Sequence, residues 1–351
     1  MISARTLSAG LRARFLINGT FLAFAAIAYP TSFALADEGG VSFWLPGQFG
    51  SLAAAPQQPG WSLATVNYYT SVDAGGSLAA ARQFTVGKLN PTVTVNLNAN
   101  LKANADVVLI NPSYVFAAPV FGGQLALGMA GIVGWNNTSI GGTLTASVGG
   151  ITITRQGLID DGRTGFGDLY PKATLLWNSG VNNWMTYVTG DIPVGEYNSN
   201  HLANLGIGHG AIDGGVGYTY LNPQTGQEFS VVTGLTYNLT NGSTNYRNGV
   251  DWHVDWGLSQ FLSKTMHVGA VGYFYDQLTA DNGCAPSICP FKSRVAAIGP
   301  QVGFIIPGAS TQAYLSFKGY WEFDAANRPS GWNAWVVLSL SPSTTPPLVR
   351  R

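Results

Sequence analysis

Hydrophobic and polar residues alternate with a period of two along most of the chain. From Thr92, the stretch TVTVNLNANLKANAD sets Val93, Val95, Leu97, Ala99, Leu101, Ala103 and Ala105 against Thr92, Thr94, Asn96, Asn98, Asn100, Lys102, Asn104 and Asp106. Successive side chains of an extended strand point to opposite sides, so this run predicts a strand with one apolar face. TQAYLSFKGYWEFD repeats the pattern, with Ala313, Leu315, Phe317, Gly319, Trp321 and Phe323 on one side and Gln312, Tyr314, Ser316, Lys318, Tyr320, Glu322 and Asp324 on the other. Further on, Trp332, Ala334, Val336, Leu338 and Leu340 share a face, and no helical period of comparable length appears.

Read in order, such segments number twelve: about 60–71, 84–118, 124–135, 166–177, 184–192, 209–221, 228–238, 253–262, 266–275, 294–306, 311–323 and 332–340. The second is longer than the roughly 9–11 residues of one membrane crossing and contains Pro112, so it must bend or rise beyond the bilayer. Short connections (119–123, 178–183, 222–227, 263–265, 307–310) alternate strictly with longer ones (72–83, 136–165, 193–208, 239–252, 276–293, 324–331). That alternation predicts an all-β fold: a transmembrane antiparallel up-and-down β-barrel of about 12 strands, with short periplasmic turns and long external loops. A soluble sandwich has no need of such regularity. Aromatics gather at the strand ends: Trp177 and Trp184 flank a short turn, while Trp135, Tyr237, Trp252, Trp256, Phe274, Trp321 and Trp332 sit beside long connections. Amphipathic rings at headgroup level account for this placement.

Composition agrees. Charged residues are only 10% of the chain, with 17 basic and 17 acidic side chains, and glycine reaches 45 of 351. Without a basic stripe, nucleic acid is excluded as a partner. Residues 1–36 read as a signal peptide, with Arg5, Arg12 and Arg14 before the apolar run Phe15–Ala28 and Ala34-Leu35-Ala36 at the cleavage site. Export would place Cys284 and Cys289, the only cysteines, in an oxidising compartment, where the CAPSIC segment suits a small disulfide-closed loop. The barrel is expected over 60–340, followed by a Pro/Thr-rich tail, 341–351.

In DWHVDW the tryptophans take the lipid side, so Asp251, His253 and Asp255 point into the lumen. The inward faces also supply Asp168, Lys172, Asp191, Glu228, Lys318, Tyr320 and Glu322, and mixed charges in a narrow barrel are expected to pair across it. A cation or solute-contact site at the Asp-His-Asp row is the competing reading. Single histidines among glycines, His209 and His267, read as structural. No G-x-S-x-G motif occurs, and the glycine clusters lack a following helix, so neither a hydrolase nor a phosphate loop is indicated. Nothing calls for a cofactor or a metal. Residues 37–59 precede the first strand and carry Phe43, Trp44, Leu45, Phe49 and Leu52 between turn formers. As a periplasmic tether they would leave apolar surface in water, at about 25 cal/mol per Å². As a plug they would tuck against the inward aromatics Tyr187, Tyr314 and Tyr320.

Several blocks together carry a family resemblance: EGGVSFWLPGQFGSLAAAPQQPGW at the mature start, GFGDLYPKATLLW (165–177), TGDIPVGEYNSNHLANLG (189–206), NGSTNYRNGVDWHVDW (241–256), GYFYDQLTADNG (272–283) and AIGPQVGF (297–304). The chain resembles the outer-membrane family named for the meta-pathway of phenol degradation, over nearly all of 37–340. It departs from that family in the CAPSIC loop and in the tail. The resemblance implies a monomeric barrel in outer-membrane lipid, inserted by the assembly machinery, that passively admits small hydrophobic or aromatic compounds. It transfers no catalytic or binding motif. The alternative is a surface-structural or adhesion barrel without transport.

Overall fold

The computed structural model describes residues 42–75, 96–148, 151–283 and 292–343. Twelve strands follow in order: β1 (Gly60–Gly75), β2 (Asn96–Val120), β3 (Gly123–Val148), β4 (Ile151–Ser179), β5 (Asn182–Asp191) and β6 (Ala211–Asn222), then β7 (Gln227–Asn238), β8 (Val250–Ser263), β9 (Met266–Gln277), β10 (Arg294–Ile306), β11 (Thr311–Ala326) and β12 (Ser330–Pro342). Each pairs antiparallel with its neighbours in sequence, and β1 pairs with β12 to close the barrel, Leu63 opposite Leu340 and Trp332 opposite Ser71. Closure leaves no open edge around the barrel, which is what lets a sheet cross lipid with its backbone groups satisfied. The signal-peptide region, the cysteine pair and most of the tail (344–351) lie outside the described residues.

One sequence expectation needs revision. Residues 136–165 are not a loop: Asn136 pairs with Arg163 and the ladder continues to Val148 opposite Ile151, so β3 and β4 form one tall hairpin. Residues 84–95 of the expected second strand lie outside the described residues; β2 pairs with β3 as far as Asn96 opposite Thr145. The barrel is therefore lopsided, with β5 only 10 residues long beside a β4 of 29.

Polarity along β2 records where lipid gives way to water. On its lower half the outward residues are apolar, with Ile110 and Tyr114 exposed; from Asp106 upward they are polar, and Leu101 and Val107 turn inward and are buried. The same reversal places Ile140 of β3 inside, packed with Leu101 and Leu202. Outward aromatics lie at two heights. Trp61, Tyr114, Phe121 and Trp184 ring the short-turn end; Trp135, Tyr237, Trp252, Trp321 and Trp332 ring the other, all exposed as girdle residues are.

Candidate functional site

The lumen is occupied by the chain's own N-terminal segment. Residues 43–54 descend along β8: Trp44 stacks on His253 with ring centroids 3.5 Å apart, Gly47 meets Asp255, and Ser51 meets Ser259. Phe43 and Trp44 are buried, Leu45 packs against Tyr273 and Trp335, and Phe49 packs with Trp44 and Tyr187. Apolar residues alone would leave this irregular backbone with unpaired polar groups, which is costly away from water. The charged lumen residues meet that need.

Asp255 accepts hydrogen bonds from the backbone N–H of Gly47 (2.8 Å) and of Phe49 (3.1 Å). Lys318 Nζ donates to the carbonyls of Gly47, Gln48 and Phe49 at 2.6, 3.2 and 3.2 Å, and Tyr320 Oη donates to Gly47 O at 3.1 Å. Lower down, Glu228 accepts from Leu52 N (2.8 Å) and Thr219 Oγ1 from Ala54 N (2.9 Å), while Gln301 donates to Ser51 Oγ (2.6 Å). Gly47 has a φ of +90°, and a Cβ there would lie 3.0 Å from both Tyr273 and Tyr320. On β8, a Cβ at Gly257 would come 2.6 Å from Ser51 N, so glycine is what lets the segment lie against the wall. Leu52 adopts φ +66°, a conformation that costs an L-residue about 1–2 kcal/mol and is held here by the Glu228 contact.

Of the lumen charges expected to pair across the barrel, His253 meets Asp213, but Lys318 and Asp255 are used otherwise. Lys318 and Asp255 each bind the backbone of the inserted segment instead of forming a direct ion pair. His253 is also partnered differently from its sequence context: its Nε2 lies 2.8 Å from Asp213 of β6, two strands away, and not against the flanking Asp251 or Asp255. Asp251 accepts from Asn238 (2.8 Å). Glu322 accepts from Tyr273 Oη (2.6 Å) and Gly331 N (2.8 Å). Tyr187 and Tyr320 contact the segment, but Tyr314 does not; its hydroxyl lies 3.0 Å from His267 Nε2, and His267 reaches Ser51 only through Ser259. Asp191 is buried at the outer end of β5. Lys172 places its Nζ 4.3 Å from the ring centroid of Phe49.

Asp168 works on a different element. It accepts from Gly195 N and Ile207 N, both at 2.7 Å, and so folds the connection between β5 and β6 inward. Asp161, on the part of β4 above the bilayer, holds the same connection through Leu202 N (2.9 Å) and Ala203 N (3.2 Å). Between this lid and the inserted segment lies a cavity of about 210 Å³, lined by Phe43 and Trp44 from the segment, Tyr68, Leu101 and Tyr170 from the wall, and Leu205 from the lid. A second cavity, of about 240 Å³, opens near the short turns beside Ala54, Leu176 and Trp177.

The family described as "Putative MetA-pathway of phenol degradation" matches residues 83–338. The chain belongs to this family. Among solved structures, an outer membrane channel from Pseudomonas putida F1 aligns over 85% of this chain and 98% of that one, with a TM-score of 0.52 and 14% identity. That likeness establishes the shared barrel fold. A Pseudomonas aeruginosa FadL homologue aligns over 88% of this chain and 98% of that one at 9% identity and a TM-score of 0.37. The CymD monoaromatic hydrocarbon channel aligns over 90% and 99% at 6% identity and a TM-score of 0.33. No curated protein matches the sequence. Membership of the phenol MetA-pathway family rests on most of the barrel, from β2 through β11 and into β12.

Proposed function

We propose that this protein is an outer-membrane channel for passive uptake of small hydrophobic or aromatic compounds, with residues 42–55 as a plug that restricts the passage. The observation that carries the reading is the cavity above the plug: it is walled largely by aromatic and aliphatic side chains, and its floor is Phe43 and Trp44. Pockets for small molecules are built this way, with apolar walls and a few polar groups. The family's association with phenol degradation and the fold shared with a known outer membrane channel support the same conclusion. An adhesion or purely structural barrel would need neither the cavity nor a lumen segment fixed by so many hydrogen bonds.

Liposomes carrying the purified full chain test this. Uptake of benzyl alcohol above that of protein-free vesicles is expected, and deletion of 42–55 should raise both that uptake and the conductance in planar bilayers. Unchanged conductance on deletion would reject the plug. Uptake no faster than in empty vesicles, with or without the segment, would reject transport.

A further inference from the structure

The plug is held from one side. Every polar anchor described above belongs to β6, β7, β8, β10 or β11, whereas the walls of both cavities are supplied largely by β1–β5. On the inner face of β4, Tyr170 lines the upper cavity and Leu176 the lower. Lys172 and Thr174 are the inward residues between them. Two residues along a strand span roughly 7 Å, so Lys172 stands one step below the upper cavity.

Lys172 differs from the other lumen lysine. Lys318 is buried and has three carbonyl acceptors. Lys172 is only half-buried, and its ammonium has neither a carboxylate within ion-pair distance nor a hydrogen-bond acceptor among the described residues. Its contacts are ring faces, Phe49 at 4.3 Å and Tyr187 at 5.6 Å from the centroids. Such faces attract a cation but leave its N–H donors unused. In the register, Lys172 lies opposite Thr189 and Thr189 opposite Asp213, two strands or roughly 10 Å away. Asp213 is taken by His253 and by Thr236 (2.6 Å), and Asp255 by the plug backbone. Asp255 and the Oδ2 of Asp213 are held by other partners, and the Lys172 ammonium is left against ring faces between the two cavities.

We infer that Lys172 and the rings around it form a binding site for the carboxylate of a small aromatic acid. The ammonium takes the carboxylate through charge-assisted hydrogen bonds, and the ring lies beside the aromatic pairs Phe43–Tyr170 (ring centroids 5.8 Å apart) and Phe49–Tyr187 (6.0 Å). The site deepens the channel reading and rests on it for the route by which solute arrives.

Calorimetric titration of the detergent-solubilised full chain with benzoate and, separately, with benzyl alcohol at neutral pH tests the inference. Lys172→Met should weaken benzoate binding by about tenfold or more and Lys172→Arg by no more than about threefold, with benzyl alcohol binding unaltered in both. Lys172→Gln serves as a second neutral variant should the methionine disturb folding, which heat-modifiable gel migration reports. Benzoate affinity that is the same in wild type and the neutral variants, or no benzoate binding at all, overturns the site. Benzyl alcohol flux in liposomes is scored separately. Flux without Lys172-dependent benzoate binding removes this site and leaves the channel; binding without flux removes the channel and leaves the site.

Discussion

Gly47 is gripped at both ends of its peptide framework, its N–H by Asp255 and its carbonyl by Lys318 and Tyr320. Hydrogen bonds to charged groups are worth about 1.5–3 kcal/mol each, and losing one partner leaves the other polar group stranded. Asp255→Ala should therefore raise the population of displaced plug by on the order of a hundredfold, seen as longer open times in single-channel recordings and easier proteolysis near Trp44. Unaltered recordings would mean that Asp255 does not hold the segment. The inward direction of Asp251, His253 and Asp255 was readable from alternation alone, because Trp252 and Trp256 must face lipid. Their partners were not: Asp255 is met by Gly47, 208 positions away, and His253 by Asp213, 40 positions away and two strands over. Asp213 was missed because AIDGGVG draws attention to its glycines. Ile212, exposed on the lipid face, was the signal that its neighbour points inward.

At the scale of elements, strand number and order follow directly from the two-residue period and the spacing of turns. Strand length does not, because the solvent outside the barrel changes with height. Above the bilayer the exterior is water, so the strands there turn Asn137, Ser139, Asp160, Gly162 and Thr164 outward and the stretch reads as a loop, although Ile140 and Ile159 continue the ladder opposite each other. The lid connection docks on this raised wall. Partial burial works against ionisation of Asp161, but the N–H groups of Ala203 and Leu202, with Arg163 and His201 nearby, outweigh it and hold its carboxyl below the usual 3.8. A depressed docked-state value means the contact is at full strength above the undocked value and is lost as pH falls through the docked one. Amide exchange at Leu202 and Ala203 should thus be equally slow at pH 7 and pH 5 after correction for intrinsic rates, and accelerate only under more acidic conditions below 3.8. Acceleration already at pH 5 would contradict this. The cysteine loop makes a smaller demand. A ring of a few residues constrains the unfolded chain little, so replacing Cys284 and Cys289 by serine should leave the unfolding temperature nearly unchanged. Intact mass with and without alkylation would show whether the pair is joined.

For the whole molecule, a closed barrel with two aromatic girdles should fractionate with outer membranes and run anomalously on unheated gels; recovery from soluble periplasm would overturn the assignment. One property follows from the way the ring is completed. Most strand pairs join neighbours in the chain, but the seam between β1 and β12 brings together residues nearly a whole barrel apart in sequence, Thr65 and Leu338 for example being separated by 273 positions. Contacts of such span form slowly, since the intervening chain must be ordered first. The plug leads directly into β1, and its anchors on β8, β10 and β11 exist only once those strands are in place. Insertion therefore has a built-in sequence of events: the sheet grows hairpin by hairpin, the leading segment settles on its far wall, and the last seam shuts around it, like a vessel sealed with its stopper already inside.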